Sequence, residues 1–301
     1  MNTLASLRNL LFAQTEKKII SVANAGDEQV LLAVKQAVEM KICRFLLLGD
    51  EIEINKLAKK VGLDLSSTDI QTEHVTEEVG KAAVLAIRQK RAHVLMKGLL
   101  PTKEILQAVL DKENGLRTKS VLSHVALFEI PDQNRLIFLT DAAMNIAPNV
   151  QLKKNIIENA VEVARNLGNT CPNVALLAPV EVVNEAMPST VDAAILTTMQ
   201  NRGQIKYCNI DGPLAFDLAI SPEAVQHKHL ESPVAGNADI LVVPSIEVGN
   251  ALYKSFVYFA KAKVASVVWG AKVPIILTSR SDSAESKWYS MLLSLCSQKD
   301  Y

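Results

Sequence analysis

Short apolar runs of strand length alternate with longer segments of helical period from one end of the chain to the other. Strands are predicted at Lys17–Ala23, Cys43–Leu48, Asp69–Val75, Ala92–Met96, Val121–Ile130, Arg135–Leu139, Asn173–Ala178, Ile205–Ile210, Asp239–Val243, Ala265–Trp269 and Pro274–Leu277. Their near-continuous hydrophobicity is that of strands covered on both faces. Between the first two, Asp27–Met40 opens on an acidic cap and repeats apolar residues every three to four positions, as a helix packed on a sheet does. Comparable helices are predicted over Glu77–Gln89, Lys103–Leu110, Leu152–Leu167, Thr190–Gln200, Ala251–Ala262 and Ala284–Leu295, with a short amphipathic helix inside Met1–Phe12. This alternation is the signature of βαβ units, so the expected class is α/β with mostly parallel sheets.

One interruption breaks the pattern. Pro131-Asp-Gln-Asn134 is a turn between two strand-like runs and predicts an antiparallel hairpin, a candidate sheet edge near a domain boundary. The loop Thr140–Asn149 that follows reads as a hinge. At 301 residues the chain is long enough for two α/β domains. The expected division is a discontinuous first domain, 1–141 plus 273–301, and an inserted second domain, 142–272, with a crevice between them.

Charge removes one class of partner. Lys plus Arg number 32 and Asp plus Glu number 32, so no global field draws the chain to nucleic acid or to an anionic membrane. No apolar run reaches the roughly 18 residues of a bilayer span, and no basic stretch precedes an apolar core at the start. The four widely spaced cysteines read as reduced thiols, three of them in apolar surroundings, which points to a soluble, unprocessed cytoplasmic protein.

Common motifs are missing. No Gly-x-Gly occurs, which demotes dinucleotide and Walker-type phosphate binding. Cys-x-x-Cys, His-Glu-x-x-His and Gly-x-Ser-x-Gly are also absent. His227 and His229 flank Lys228 in a polar segment and read as a solvated helix face, with no evident third metal ligand.

Polar chemistry collects instead just past strands, where open parallel sheets place their ligand sites. Thr278-Ser-Arg-Ser-Asp-Ser283 follows an apolar strand and precedes a helix, so hydroxyls, the Arg280 guanidinium and helix N–H groups can hold an oxyanion there. One of Ser281, Asp282 or Ser283 suffices as a helix cap, but capping leaves Arg280 unexplained, since a cation opposes the dipole at a helix start. Ser245–Asn250 with Lys254 puts Asn250 and Lys254 on one helical face. Asp211-Gly-Pro213 reads as a turn after a strand, and Lys97-Gly-Leu-Leu-Pro-Thr102 as a strand end with Thr102 as cap and Lys97 as an anion contact.

Taken together, Lys97–Thr102, Thr140–Pro148, Asp211–Pro213, Val243–Asn250 and Ile276–Arg280 resemble the phosphate acyltransferases, the family of phosphate acetyltransferase and phosphate butyryltransferase, over nearly the whole chain. The resemblance is closer to the butyryl and branched-chain branch. It implies reversible transfer of a short acyl group between coenzyme A and inorganic phosphate, no metal or redox cofactor, two α/β domains of the isocitrate/isopropylmalate dehydrogenase type with a cleft between them, and a homodimer. Within it, Ser279 and Arg280 are expected to hold the phosphate and the developing oxyanion, and Asp282 to act as general base. An ungapped count to the position of the acetyl branch's base reaches Ser286, with Glu285 beside it and Asp282 nearer. Lys97, Thr102, Asp141, Asn145, Asp211, Asn250 and Lys254 are expected to contact acyl-CoA. The competing readings are a phosphate acetyltransferase, a metal-dependent decarboxylating dehydrogenase, whose clustered Asp ligands are not evident here, and a non-catalytic acyl-CoA-binding protein.

Overall fold

The computed structural model describes residues 2–12, 16–279 and 282–298. Its elements run, in chain order, α1 (Leu7–Leu11), β1 (Ile19–Ala23), α2 (Glu28–Glu39), β2 (Arg44–Gly49), α3 (Glu51–Val61), β3 (Ile70–His74), α4 (Val79–Arg88), β4 (Val94–Lys97), α5 (Thr102–Leu110), β5 (Ser123–Glu129), β6 (Leu136–Thr140), α6 (Val150–Asn166), β7 (Asn173–Leu177), α7 (Pro188–Asn201), β8 (Asn209–Leu214), α8 (Phe216–Ile220), α9 (Pro222–Lys228), β9 (Ile240–Val242), α10 (Ile246–Tyr258), β10 (Lys263–Trp269), β11 (Ile275–Ile276) and α11 (Ala284–Ser297). The class is mixed α/β and mostly parallel, as the alternation predicts. By contact the chain groups into two compact units, one of Ala5–Ser120 with the chain from Ala265 onward, the other of Val121–Val264 with the first few residues.

In the first unit the strands lie side by side as β3-β2-β1-β4-β11-β10, parallel throughout except for the β11–β10 pair. The register pairs Ala23 with Lys97 and Ile276 with Met96, so the carboxyl ends of β1, β4 and β11 are neighbours. Helix α11 is buried along most of its length, with Met291, Leu292, Leu293 and Leu295 at 1% exposure or less. Each such side chain contributes roughly 1.5–3 kcal/mol by leaving water, which anchors the helix whose first turn follows Ser279. Helix α3 is missing from the sequence-based reading. It buries only Ile54 and Ala58, too narrow an apolar stripe to register, and its ends are set by the Asp50 cap and by Gly62 in the left-handed region.

In the second unit the order is β5-β6-β9-β7-β8. The hairpin predicted at Pro131–Asn134 is present as the antiparallel β5–β6 pair. In this order β5 stands at one end, while β6 is interior, with β9 paired on its other side. Asp211-Gly-Pro213 is likewise not a turn: β8 runs through it. The strand closes one end of this order, where a proline costs no ladder bond. A Cβ on Gly212 would stand 2.6 Å from the Leu176 Cβ, so only glycine lets β8 lie against β7 there. Phe128 meets Tyr253 and Phe256 edge to face at 5.3 and 5.1 Å between ring centroids, which pins α10 to the sheet. That helix starts at Ile246, not at Ala251, and so takes in Asn250.

Candidate functional site

The first unit presents one polar group at the joined carboxyl ends of β1, β4 and β11. Lys97 closes β4 and is 5% exposed, and its Nζ donates to the carbonyls of Gly98 and Leu100 at 3.3 Å each. The chain then turns against β1: the Gly98 and Leu99 N–H groups donate to the Ala23 and Asn24 carbonyls at 2.8 and 2.7 Å. Asn24 returns the contact through Nδ2 to the Leu99 carbonyl at 2.6 Å. Gly98 is required, since a Cβ there would lie 2.0 Å from the Asn24 carbonyl oxygen. Thr102 does not cap α5. Pro101 occupies the cap position without a side-chain bond, and Thr102 is an exposed first helical residue.

At the end of β11, Thr278 is buried and its hydroxyl has no hydrogen-bond partner among the described residues. Ser279 follows, exposed, while Arg280 lies outside the described residues. The Ser279 N–H donates to Asp282 Oδ2 at 2.7 Å, and the Asp282 N–H returns to the Ser279 carbonyl at 3.2 Å. The helix cap is a different residue: Ser283 accepts from the Ser286 N–H at 3.1 Å. Asp282 is therefore spent on the turn that carries Ser279, not on capping. The start of α11 is tied to α2 by the Ala284 N–H, which donates to Gln29 Oε1 at 3.2 Å.

Behind this turn sits Lys287, which the sequence reading passed over. It is 3% exposed, and its Nζ donates to the Ser279 carbonyl at 3.0 Å and to the Asp282 carbonyl at 2.9 Å. Burial holds its ammonium below the usual lysine range, opposed by the nearby carboxylates of Asp282 and Asp27. A signal existed in the sequence: a lone lysine in a helix otherwise buried on all sides must find partners.

The second unit carries the other predicted residues. Asp141 ends just beyond β6 and is 2% exposed, and its peptide with Thr140 is cis. Its Oδ1 accepts from the Ala143 and Met144 N–H groups at 2.9 Å each, and its Oδ2 from Asn145 Nδ2 at 2.6 Å. Asn145 also donates to the Leu122 carbonyl at 2.8 Å. The start of α10 is pressed on this loop, since a Cβ on Gly249 would lie 2.6 Å from the Asp141 carbonyl oxygen. Asn250 is exposed on α10, and Lys254, one turn on, is half-buried with Nζ 5.4 Å from the Tyr253 ring centre and 6.0 Å from that of Tyr258. Asp211 stands apart from this group on β8, two strands beyond β9, with its carboxylate accepting from the Gly212 N–H at 2.8 Å. Asp141, Asn145 and α10 are thus brought together, and Asp211 is not.

A cavity of about 440 Å³ in the first unit is lined by Lys18, His93 and Val273, at the amino ends of β1, β4 and β11. It lies at the opposite strand ends from Lys97 and Ser279. Among the described residues, no three His, Cys, Asp or Glu side chains are grouped to hold a metal ion, and no helix is long and apolar enough to cross a membrane.

Known proteins are similar to this chain over most of its length. The sequence profile described as phosphate acetyl/butaryl transferase matches residues 7–84 and 70–295. A protein of Bacillus subtilis strain 168 named probable phosphate butyryltransferase is 52% identical over 286 residues, 95% of each chain. The phosphate butyryltransferase of Clostridium beijerinckii is 48% identical over 92% of this chain and 91% of its own. The crystal structure of a branched-chain phosphotransacylase from Enterococcus faecalis V583 superposes with a TM-score of 0.82 at 38% identity, covering 93% of this chain and 98% of that one. With its polar groups at the strand ends and this profile spanning almost all of its length, the chain belongs to the phosphate acetyl/butyryl transferase family.

Proposed function

We propose that this protein is a phosphate acyltransferase of the butyryl or branched-chain type, which moves a short acyl group reversibly between coenzyme A and inorganic phosphate. In the direction of coenzyme release, a phosphate oxygen attacks the thioester carbonyl and the carbonyl oxygen gains negative charge. The C–S bond then breaks, leaving acyl phosphate, and the thiolate takes a proton from the general acid to give free coenzyme A. In the other direction the same group removes the thiol proton. A thiol pKa of about 8.5 makes one carboxylate at hydrogen-bond distance sufficient for that step. Bond making and breaking here change no oxidation state, so no redox cofactor enters the proposal, and the family resemblance implies no metal.

In this reading Ser279 and Arg280 hold the phosphate and the oxyanion, where preorganised donors act most strongly. Asp282 is the acid and base. Lys97, Thr102, Asp141, Asn145, Asp211, Asn250 and Lys254 contact acyl-CoA. The relatives' names support the butyryl and branched-chain preference, and the family resemblance supports a cytoplasmic homodimer whose two α/β domains have the dehydrogenase-like arrangement.

The observation that carries the reading is the Ser279–Asp282 turn, closed by a carboxylate, just past β11, whose parallel neighbour β4 ends at Lys97. Its test is phosphate-dependent release of free thiol from acetyl-, butyryl- and isobutyryl-CoA. Release that is fastest with the four-carbon substrates is expected. If phosphate releases no thiol from any of the three, the proposal fails.

A further inference from the structure

We infer that Lys287 is a positioning residue for phosphate binding: its ammonium holds the backbone at both Ser279 and Asp282, the two ends of the turn that carries Ser279. The inference rests on the acyltransferase reading for the identity of the anion. Ser279 and Asp282 are three positions apart, and one side chain reaches both. Lys287 Nζ donates to the Ser279 carbonyl at 3.0 Å and to the Asp282 carbonyl at 2.9 Å, while the Asp282 carboxylate holds the Ser279 N–H at 2.7 Å. The backbone at positions 279 and 282 is therefore fixed from two directions.

Stability alone does not call for this side chain. A lysine in the first turn of a helix opposes the helix dipole. Burying an ammonium also carries a desolvation penalty that a hydrocarbon of similar length avoids. Both costs fall at the one place where α11 meets the Ser279 turn, and both are offset by carbonyls of that turn and by the carboxylates of Asp282 and Asp27. Among the described residues, the carboxylates that act on Lys287 are Asp282 from the turn itself and Asp27 from the cap of α2. The fold thus spends its buried charge on holding a backbone segment, which matters where a misplacement of about 1 Å can cost 10²-fold in rate.

The test is steady-state kinetics of Lys287→Met and Lys287→Arg in the full-length chain with butyryl-CoA and phosphate. Lys287→Met is expected to lose about 10²-fold in kcat/KM for phosphate, with KM for butyryl-CoA within about twofold of wild type. Lys287→Arg, which keeps the charge and the donors, is expected to recover most of that loss. Unchanged phosphate kinetics in Lys287→Met overturns the inference, and so does a loss confined to the amount of folded enzyme. A second comparison holds even if Lys287→Met does not fold. Raising the pH deprotonates Lys287 before an ordinary lysine, so KM for phosphate is expected to climb at alkaline pH in wild type and to climb less in Lys287→Arg, whose guanidinium stays charged. Parallel pH profiles overturn the clamp. If wild type shows no phosphate-dependent thiol release, the acyltransferase reading fails separately, and calorimetric titration with inorganic phosphate then decides: weaker binding to Lys287→Arg at alkaline pH than to wild type, or equal binding, overturns the inference, and stronger binding supports it.

Discussion

The Ser279 N–H and the Asp282 carboxylate lie 2.7 Å apart, and the Asp282 N–H closes the same turn onto the Ser279 carbonyl at 3.2 Å. A group proposed as general base thus also shapes the turn proposed to hold the phosphate. Asp282→Asn separates the two roles, because an amide oxygen still accepts from Ser279 but takes no proton. Turnover is expected to fall by about 10²- to 10⁴-fold, the usual share of general acid–base catalysis, with KM for acyl-CoA changed by less than about threefold. Near-wild-type turnover in steady-state assays sinks Asp282 as the base.

Asp141 is a structural test within the proposed acyl-CoA contacts. Its buried carboxylate accepts three hydrogen bonds, from Ala143, Met144 and Asn145. Asp141→Ala strands these donors and is expected to destabilise the protein by about 3 kcal/mol, since hydrogen bonds to charged groups are worth roughly 1.5–3 kcal/mol each and do not add fully. Urea unfolding measures it, and a loss below about 1 kcal/mol contradicts the role given to this carboxylate.

Gly98 next to Lys97 makes a similar prediction by a different mechanism. A Cβ at Gly98 meets the Asn24 carbonyl oxygen at 2.0 Å and the Ala23 carbonyl oxygen at 2.8 Å, so backbone must move. At Gly203 a Cβ meets nothing within 4 Å, and only its φ of +72° is unfavourable. Gly98→Ala is expected to cost about 3 kcal/mol and to raise KM, and Gly203→Ala to cost about 1 kcal/mol and leave activity alone. Equal thermal shifts for the two variants contradict the close approach of the Gly98 turn to β1.

The cysteines divide by burial. Cys43, Cys208 and Cys296 are buried and Cys171 is exposed. Burial pushes the Cys208 and Cys296 thiols up to about 12 and that of Cys43 higher still. At pH 8 a thiol of pKa 12 is thiolate about once in ten thousand molecules, and only the thiolate reacts. A disulfide reagent at pH 8 is expected to titrate one thiol rapidly in the native protein and four after denaturation. Rapid reaction of a second thiol contradicts the packing around one of the other three.

Much of this molecule is legible in one dimension, because burial on both faces writes itself as a hydrophobic run. The strands around Ile20, Leu46, Leu95 and Val174 are apolar almost throughout, so their existence and order follow from composition and spacing alone. Helix α3 escaped because its burial is confined to Ile54 and Ala58, and the strand predicted at Ile205–Ile210 lies instead at Asn209–Leu214, because Gly212-Pro213 carries a turn's composition into a sheet edge. Edge position is a property of neighbours that no local pattern encodes. The same holds for the hairpin: its turn is written in Pro131–Asn134, but whether β6 has a second partner depends on β9, a hundred residues away in sequence.

The candidate residues follow the same division. Residue type and strand-end position mark Ser279, Asp282, Lys97 and Asp141 as polar groups in places where chemistry collects, and the order of their motifs places the chain in its family. Which of them touch is decided only by the tertiary structure. Ser283 takes the capping role that three adjacent residues could fill, which leaves Asp282 for Ser279; Asp141 is joined to Asn145 while Asp211 stands three strands away; and Lys287 reaches back to two carbonyls that precede it in the chain. The reason is physical: a sequence pattern records what each residue must bury, but a hydrogen bond needs distance and direction, and those exist only once the strands have been laid side by side.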